Sequence, residues 1–331
     1  MPRYSIIIPV FNRPDEIDEL LTSLMKQSFS DFEVVLVEDG SSKTCQNIAG
    51  YYSKQLNLRY FFKENEGQGY ARNYGYQRAK GEVFIVFDSD CLIPPNYLQE
   101  INSYLELHQV DAFGGPDAAL DSFTPIQRAI SHTMTSFLTT GGIRGSKNQI
   151  GPYHPRSFNM GITKKVFQKT GGYRIPFMGE DLEFSIRIIN AGFKTVLIPN
   201  AFVYHKRRTN LIQFYKQINY FGRARINLTR FHSGHLKILH LFPLIFVIGF
   251  ISVLVLSLLN QSLGFLGIQF YIIYLSLIFT EALIKLKSFK AALYIPLTTL
   301  IQMSGYAVGL IHEGVQKFRG IDPNKKYVDL Y

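Results

Sequence analysis

Residues 83–90 read VFIVFDSD, an apolar run that ends in two aspartates separated by one serine. The run has no polar–apolar alternation, which is typical of a strand covered by helices on both faces of its sheet. Asp88 and Asp90 therefore follow the carboxyl end of a predicted buried strand. In an open parallel sheet, ligands bind outside this end of the strands.

The two aspartates predict a cation site. In an extended segment both carboxylates point to one side, where two like charges are unfavourable unless a positive group neutralises them. Mg²⁺ or Mn²⁺ would do so, because such ions bind one or two carboxylates together with substrate phosphates and offset charge on a departing diphosphate. A solvated turn is the alternative, and the preceding strand favours the cation.

The chain around this stretch alternates between strand and helix patterns, which predicts a mostly parallel sheet with helices on both faces. Strands are predicted at residues 5–10, 33–37, 59–62 and 83–87, and helices from about residues 15, 44 and 68. Gly, Pro and Ser in residues 114–116 and 141–155 predict long loops around a site. A helix over residues 178–191 and strands at residues 195–198 and 202–204 follow.

Three more polar side chains are expected near Asp88. Asn12 follows the first predicted strand and Asp39 the second. Arg72 lies in the first turns of a helix opened by Gly67-Gln68-Gly69, where its charge and donor geometry suit a diphosphate. Arg72 also occupies the third glycine position of a dinucleotide fingerprint, and the chain has no GxxxxGKS or GxxxxGKT loop, so a hydride enzyme and a P-loop NTPase are disfavoured.

Two later segments offer catalytic or ligand groups. Glu180 and Asp181 follow Gly179 at the predicted start of a helix, where carboxylates either stabilise the helix terminus or act as a general base. His205 follows a short apolar strand and is either a surface histidine or a metal ligand. Cys45 and Cys91 are isolated, form no metal-type cluster and fit a reducing compartment, so no chemistry is assigned to them.

The C-terminal third contains long uncharged segments. Residues 241–280 and 291–311 carry no charged side chain, and residues 260–262 interrupt the first segment midway. About 20 apolar residues span a bilayer, so three transmembrane helices are predicted near residues 241–259, 263–280 and 291–311. Buried helices of a soluble protein are the alternative.

Charge predicts the orientation of these helices. The net charge is +10, and much of the excess lies in residues 201–240, the pattern of a loop on the cytoplasmic side. Membrane lipids are therefore a nearer partner than nucleic acid. No leader precedes the first strand, so the first domain is expected in the cytosol. The basic tail, with Lys317, Arg319, Lys325 and Lys326, conflicts with three crossings, so one span is re-entrant or interfacial, or the tail lies outside.

Together these motifs resemble the family 2 glycosyltransferases, whose catalytic domain has the GT-A nucleotide-sugar fold. The resemblance covers roughly the first 210 residues. Its motifs stand in the family's order at residues 5–12, 37–42, 71–75, 88–90 and 179–181.

The resemblance implies roles for single residues. Pro9 and Asn12 would line the nucleotide pocket, Asp39 would bind the base and Arg72 would lie near the nucleotide. Asp88 would bind ribose and diphosphate and would hold the metal with Asp90 and His205. Asp181 would be the catalytic base with Glu180 beside it, and Asn159 would face donor sugar or acceptor. A nucleotide diphosphate sugar, most commonly a UDP-sugar, would be the donor.

The family further implies an inverting displacement by an acceptor hydroxyl. The Q-x-x-R-W motif of processive synthases is missing, since Tyr220 and Phe221 follow Gln217-Ile218-Asn219 and the chain has no Trp. A single-sugar transferase acting on a lipid-linked or membrane-surface glycan acceptor is therefore favoured. A processive polysaccharide synthase and a non-catalytic nucleotide-binding membrane scaffold are the alternatives.

The predicted organisation is a GT-A domain (residues 1–210), a basic amphipathic linker (211–238), a transmembrane region (239–312) and a polar tail (313–331). The cytoplasmic membrane is the predicted location, with the catalytic domain on its cytoplasmic side.

Overall fold

A computed structural model describes residues 1–120, 122–141 and 152–324 of the chain. Most of the loop predicted over residues 141–155 lies outside the described residues, as do Lys325 and Lys326 of the tail.

The described elements follow the predicted alternation of strands and helices. In chain order they are β1 (Tyr4–Val10), α1 (Pro14–Leu24), β2 (Phe32–Asp39), α2 (Gln46–Tyr52), β3 (Leu58–Lys63), α3 (Gln68–Arg78), β4 (Val83–Phe87), β5 (Cys91–Leu92), α4 (Tyr97–Leu107), β6 (Ala112–Gly114), β7 (Asp117–Ala118), α5 (Pro125–Thr135), α6 (Phe137–Thr140), β8 (Asn159–Thr163), α7 (Lys164–Thr170), α8 (Glu180–Asn190), β9 (Thr195–Leu197), β10 (Val203–His205), α9 (Leu211–Leu228), α10 (Phe242–Leu259), α11 (Gln261–Leu286), α12 (Phe289–Leu293) and α13 (Ile295–Phe318).

The chain forms two compact units. The first contains residues 1–120, 152–206 and 323–324, and the second contains residues 122–141 and 207–322. The sequence analysis placed residues 122–141 in the first domain. In the structure they belong to the second unit, because Ala129 of α5 packs with Ile278, Ala282 and Ile295.

The first unit is built on a seven-stranded sheet with the order β3-β2-β1-β4-β8-β6-β9. β8 runs antiparallel to β4 and β6, and the other described pairs in this sheet are parallel. Ile6 and Ile8 pack into the core on one face, whereas Ile7 packs into the core on the other. Two buried faces explain why the strand sequences are apolar without alternation, and the predicted α/β class is confirmed.

A small second sheet positions His205. Its order is β5-β10-β7, and the antiparallel register of β10 with β5 places His205 opposite Cys91. Residue 205 is therefore held next to the segment that follows β4, although it lies far away in sequence.

The second unit contains long apolar helices. Three of the described helical stretches are long and apolar enough to cross a membrane, at Ile238–Leu259, Gln261–Leu286 and Phe289–Phe318. The predicted linker forms α9, which packs closely along α13. Gly222, Gly305 and Gly309 allow this approach, since a Cβ added to any of them would lie within 3.3 Å of backbone or side-chain atoms of the opposite helix.

Candidate active site

The candidate site lies at the edge formed by the carboxyl ends of β1, β2 and β4. These strands are parallel neighbours, so the segments that follow them emerge at the same edge. Asn12 and Asp88 occupy these segments, as the sequence predicts, and Asp39 is the last residue of β2. Pro9 is buried in β1, one residue before the last residue of the strand.

Asn12 joins two of the loops at this edge. Its Oδ1 accepts hydrogen bonds from the backbone N–H of Ser42 (2.9 Å) and of Lys43 (2.9 Å), and its own N–H donates to Ser41 Oγ (2.8 Å). These bonds hold Asn12 at a φ of 55°, a conformation that Asn tolerates better than most residues. Asn12 therefore shapes the loops after β1 and β2.

Asp39 is buried and holds the loop before α3. Its carboxylate accepts hydrogen bonds from Lys63 Nζ (2.9 Å) and from the backbone N–H groups of Glu66 (3.1 Å) and Gly67 (2.9 Å). Lys63 was not singled out in the sequence. A carboxylate can accept about four hydrogen bonds, so these three leave Asp39 able to accept one more, such as from a nucleobase.

Arg72 connects two acidic segments. It is fully buried, and its Nη2 donates to Asp88 Oδ1 (2.8 Å) while its Nη1 donates to Glu180 Oε1 (2.9 Å). The guanidinium also lies 5.3 Å from the centre of the Tyr173 ring. One rigid, permanently charged group thus brings the segment after β4 next to the start of α8.

Asp90 lies between two basic side chains. Arg13 Nη1 donates to its Oδ2 (2.8 Å), and His205 Nε2 lies 3.1 Å from its Oδ1. Burial disfavours the charged carboxylate, but the hydrogen bond and charge of His205 and the charge of Arg13 outweigh burial and hold the pKa of Asp90 well below its usual range. Asp90 is therefore ionised at neutral pH.

The donor atoms around Asp90 fit a divalent cation. One ligand atom each from Asp90, Cys91 and His205 lies within 4.8 Å of the others. Among the described residues, the buried Nδ1 of His205 has no hydrogen-bond partner. Carboxylate oxygens suit Mg²⁺ and Mn²⁺, an imidazole nitrogen is a common ligand of transition-metal ions, and Asp88 carries a further carboxylate two residues away. Asp88 is 30 % exposed and bonds to Arg72.

Glu180 and Asp181 begin α8 and have different surroundings. Asp181 Oδ2 accepts a hydrogen bond from Arg156 Nε (2.7 Å), and its Oδ1 accepts one from the N–H of Leu182 (2.8 Å). Burial opposes ionisation of both acids. The charge and hydrogen bond of Arg156 lower the pKa of Asp181, whereas burial and the neighbouring Asp181 raise the pKa of Glu180. Asp181 is thus the more readily ionised of the pair.

Asn159 has a supporting position. Its Nδ2 donates to the carbonyl of Ala201 (2.8 Å), and its Oδ1 accepts a hydrogen bond from the Tyr97 hydroxyl. It is 1 % exposed. Within the described structure its side chain therefore ties β8 to neighbouring segments and does not face an open cleft.

The sequence analysis missed Arg13, Cys91 and the contact of Arg156 with Asp181. Arg13 directly follows the loop residue Asn12, and a basic side chain at a strand end was its only signal. Cys91 directly follows Asp90, but a lone cysteine carries no pattern. Arg156 lies close to Asn159 in sequence, but no pattern related it to Asp181.

Comparison with known proteins identifies the family. Residues 5–171, about half of the chain, match the model of the family described as Glycosyl transferase family 2. A dolichyl N-acetyl-alpha-D-glucosaminyl phosphate 3-beta-D-2,3-diacetamido-2,3-dideoxy-beta-D-glucuronosyltransferase of Methanococcus voltae is 27% identical over 266 residues, which cover 77% of this chain and 82% of that protein.

Other similarities are shorter or structural. An uncharacterized glycosyltransferase of Rickettsia typhi is 38% identical over 111 residues, which are 33% of this chain and only 34% of that protein. The structure of a mannosyltransferase from Pyrobaculum calidifontis, in complex with GDP-Man and Mn²⁺, superposes with a TM-score of 0.60 at 16% identity and covers 96% of this chain and 88% of that one. This likeness shows that the two chains share a fold.

Proposed function

This chain belongs to glycosyl transferase family 2 and is a glycosyltransferase, and we propose that it moves a sugar from a nucleoside diphosphate sugar to a hydroxyl of a lipid-linked or membrane-surface glycan, with inversion at the anomeric carbon. The observation that carries this proposal is the pair of hydrogen bonds from Arg72 to Asp88 and Glu180. The buried guanidinium of Arg72 thereby joins Asp88, on the side proposed for the donor diphosphate, to Glu180, on the side proposed for the proton transfer.

Asp88, Asp90 and His205 hold a divalent cation in this proposal. The close ligand atoms of Asp90 and His205 support this assignment, Asp88 is added on the family resemblance, and Mn²⁺ is bound to the mannosyltransferase with the same fold. When bound, the cation stabilises negative charge on the departing diphosphate. Arg72 lies beside Asp88 and adds fixed positive charge at the same place.

Asp181 is the general base of the proposed reaction. It is ionised at neutral pH, so it can accept the proton of an acceptor hydroxyl that attacks the anomeric carbon opposite the leaving group. Arg156 orients its carboxylate through Oδ2. Glu180 is a positioning residue, because its Oε1 accepts hydrogen bonds from both Gln68 and Arg72 and its side chain is 4 % exposed.

The acceptor class rests on two observations. The Methanococcus voltae relative, which aligns over most of both chains, is named for transfer to a dolichyl phosphate-linked sugar. Three apolar helical stretches of this chain are long enough to cross a membrane, which would keep the enzyme where such lipids are found. The donor is a nucleotide sugar, as in the complex with GDP-Man, and a UDP-sugar is the first candidate to test.

A screen of nucleotide sugars tests this function. The purified full chain, in detergent with a lipid extract, is incubated with UDP-, GDP- and dTDP-sugars, and release of nucleoside diphosphate is measured with Mn²⁺, with Mg²⁺ and with a chelator. We expect one donor class to be consumed only when the cation is present. Failure to consume any donor, or equal consumption in the chelator, would reject the metal-dependent transferase.

A further inference from the structure

We propose that only the helical hairpin α10–α11 crosses the membrane, whereas α13 lies in the membrane surface beside α9 and returns the C-terminus to the side on which α9 begins. The bilayer surface is thus the partner of an exposed apolar face on α13. The inference concerns the second unit and does not depend on the reaction assigned to the first.

The packing of α9 against α13 shows the relative direction of the two helices. Gly305 of α13 lies against Tyr215 of α9. Gly222 of α9 lies against the backbone of Tyr306, and Gly309 of α13 lies against the backbone nitrogen of Arg223. Successively later residues of α9 thus meet successively later residues of α13, so the two helices run parallel and side by side.

Ion pairs and hydrogen bonds extend this contact to the end of α13. Arg223 Nε lies 3.1 Å and Arg230 Nη1 2.9 Å from the carboxylate of Glu313, which is fully buried. Lys317 Nζ donates to Thr229 Oγ1 (2.6 Å). The second half of α13 is therefore fixed to α9 along its length.

The composition of α9 excludes a crossing in this arrangement. α9 carries Lys216, Arg223 and Arg225, and among them Lys216 is exposed. If α13 crossed the bilayer, its second half would draw α9 and these charges into the hydrocarbon, where ionised side chains are strongly disfavoured. At the membrane surface the same charges would lie beside anionic headgroups.

The exposed face of α13 fits a surface position. Its exposed apolar residues recur three, four or seven to eight positions apart and form one stripe, namely Leu297, Leu300, Val308, Ile311, Val315 and Phe318. The opposite side is covered by protein, including Thr298, which shares a hydrogen bond with Thr133 of α5, and Gly305 and Gly309 against α9. A helix that lies in the interface plane buries one such apolar stripe in the bilayer and keeps its other side out of it.

The hairpin α10–α11 has the properties of a crossing pair. The 18 residues of α10 extend about 27 Å, close to the thickness of the hydrocarbon core. Most apolar side chains of α10 and of the first half of α11 are exposed. The helices approach each other at Gly264, Gly267 and Gly249, as small residues allow in membranes.

The ends of the hairpin define its two sides. Asn260 caps α11 in an uncharged turn between the helices, whereas Lys237 precedes α10 and Glu281 and Lys285 lie at the end of α11. Ile278 and Ala282 of α11 already pack against Ala129 of α5. The turn therefore lies at the end of the hairpin that is farthest from α5. The charged ends of the hairpin share one side with α5 and α9.

Thiol labelling of single substitutions tests the topology. Ser233→Cys, Ser262→Cys and Arg319→Cys each add an exposed thiol to the full chain, and Cys45 and Cys91 are buried, so the unsubstituted protein serves as the background control. Each variant is treated with a membrane-impermeant maleimide in right-side-out spheroplasts and in inverted vesicles. Labelling after detergent solubilisation confirms that each thiol is reactive.

We expect residue 262 to be labelled in one preparation, and residues 233 and 319 to be labelled only in the other. Labelling of residue 319 together with residue 262 would show that α13 crosses the membrane and would overturn the inference. Labelling of all three residues from the same side would show that the hairpin does not cross and would overturn it as well. Neither result depends on whether the protein transfers a sugar.

Discussion

Arg72 shows at the scale of one residue how burial and charge are reconciled at the site. Its guanidinium is removed from water, and two carboxylates compensate its charge. The arrangement also fixes Glu180, since an unpaired carboxylate in the same position would be buried without compensation. Stability and the geometry of the site therefore depend on the same group.

Replacement of Arg72 separates charge from geometry. Arg72→Met leaves Glu180 without its cation, and we expect the free energy of unfolding to fall by about 3–5 kcal/mol. Arg72→Lys keeps a charge but cannot span both acids, so its loss should be smaller. Thermal unfolding in detergent measures the order of the variants. The exposed Lys54→Met is the control, and an Arg72→Met variant as stable as that control would contradict the role of Arg72.

Asp181→Asn tests the proposed base. The amide keeps the size of the side chain but cannot accept the proton, so we expect the turnover rate to fall about 10²- to 10⁴-fold while the Kd for the donor changes little. The matched control is Asp31→Asn, an exposed acid at the amino end of β2, which should transfer at the normal rate. Equal turnover of the two variants would remove Asp181 from the mechanism.

His205→Ala tests the cation site without reference to turnover. Electron paramagnetic resonance of free Mn²⁺ gives the affinity of the protein for the ion. We expect binding to weaken at least about tenfold, because even the loss of a hydrogen-bond partner to a metal ligand has an effect of that size. His108→Ala, at an exposed position on the first unit, should bind Mn²⁺ normally. Unchanged affinity in His205→Ala would exclude His205 as a ligand.

The positions of the candidate site residues were predictable to the extent that they follow strand ends or helix starts. Asp88, Asp90 and Asp181 stand at such positions, and a local pattern reveals them. The partners were not predictable, because Lys63, Arg13 and Arg156 reach their acids through tertiary contacts between separate segments. Asn159 likewise bonds to Tyr97 and Ala201, which no spacing in the sequence relates to it.

At the scale of elements, Glu33 fastens the start of β2 to its neighbours. Its Oε1 accepts hydrogen bonds from Ser5 Oγ (2.7 Å) in β1 and from the N–H of Lys80 (2.6 Å) before β4, and its Oε2 accepts one from Arg59 Nη2 (2.6 Å) in β3. Burial alone would raise the pKa of Glu33, but the hydrogen bonds from Lys80, Ser5 and Arg59 lower it from the ordinary value of 4.5.

The sign of this shift predicts a pH-dependent loss of stability in Glu33→Gln. A carboxyl with a lowered pKa in the folded state stabilises the protein above its unfolded pKa, and this contribution is lost as the pH falls through the folded pKa. We expect the variant to be less stable than the parent protein by about 1.5–3 kcal/mol at neutral pH. Melting temperatures should converge below pH 4.5. A difference that is independent of pH would contradict the account.

Elements buried on both faces were the most predictable. β1 and β4 end where the sequence predicts, because their uninterrupted apolar runs have no alternative as exposed strands, whereas β2 continues two residues beyond its predicted end at residue 37. The place of α5 in the second unit and the pairing of α9 with α13 were not predicted. Both depend on small-residue contacts between distant segments, such as Gly222 against Tyr306, and a local pattern of hydrophobicity does not contain them.

For the whole molecule, charge and hydropathy alone separate an N-terminal domain from an apolar C-terminal region, but they do not assign residues 122–141 to the second unit. A chain of this kind can hold a water-soluble donor in one unit and associate with lipid through the other. The number of crossings was less predictable, since the hydropathy of residues 291–311 suits a crossing helix and a surface helix equally well. The charged partner of α13 distinguishes the two.

Transfer of a labelled sugar into the membrane fraction would demonstrate the proposed reaction. Membranes that contain the full chain are incubated with the donor that the screen identifies, and label is counted in the membrane pellet and its organic extract. We expect label to enter these fractions with Mn²⁺, and a chelator or Asp181→Asn to prevent the transfer. Label that remains in the aqueous donor, or that enters the membranes equally in the chelator, would contradict this expectation.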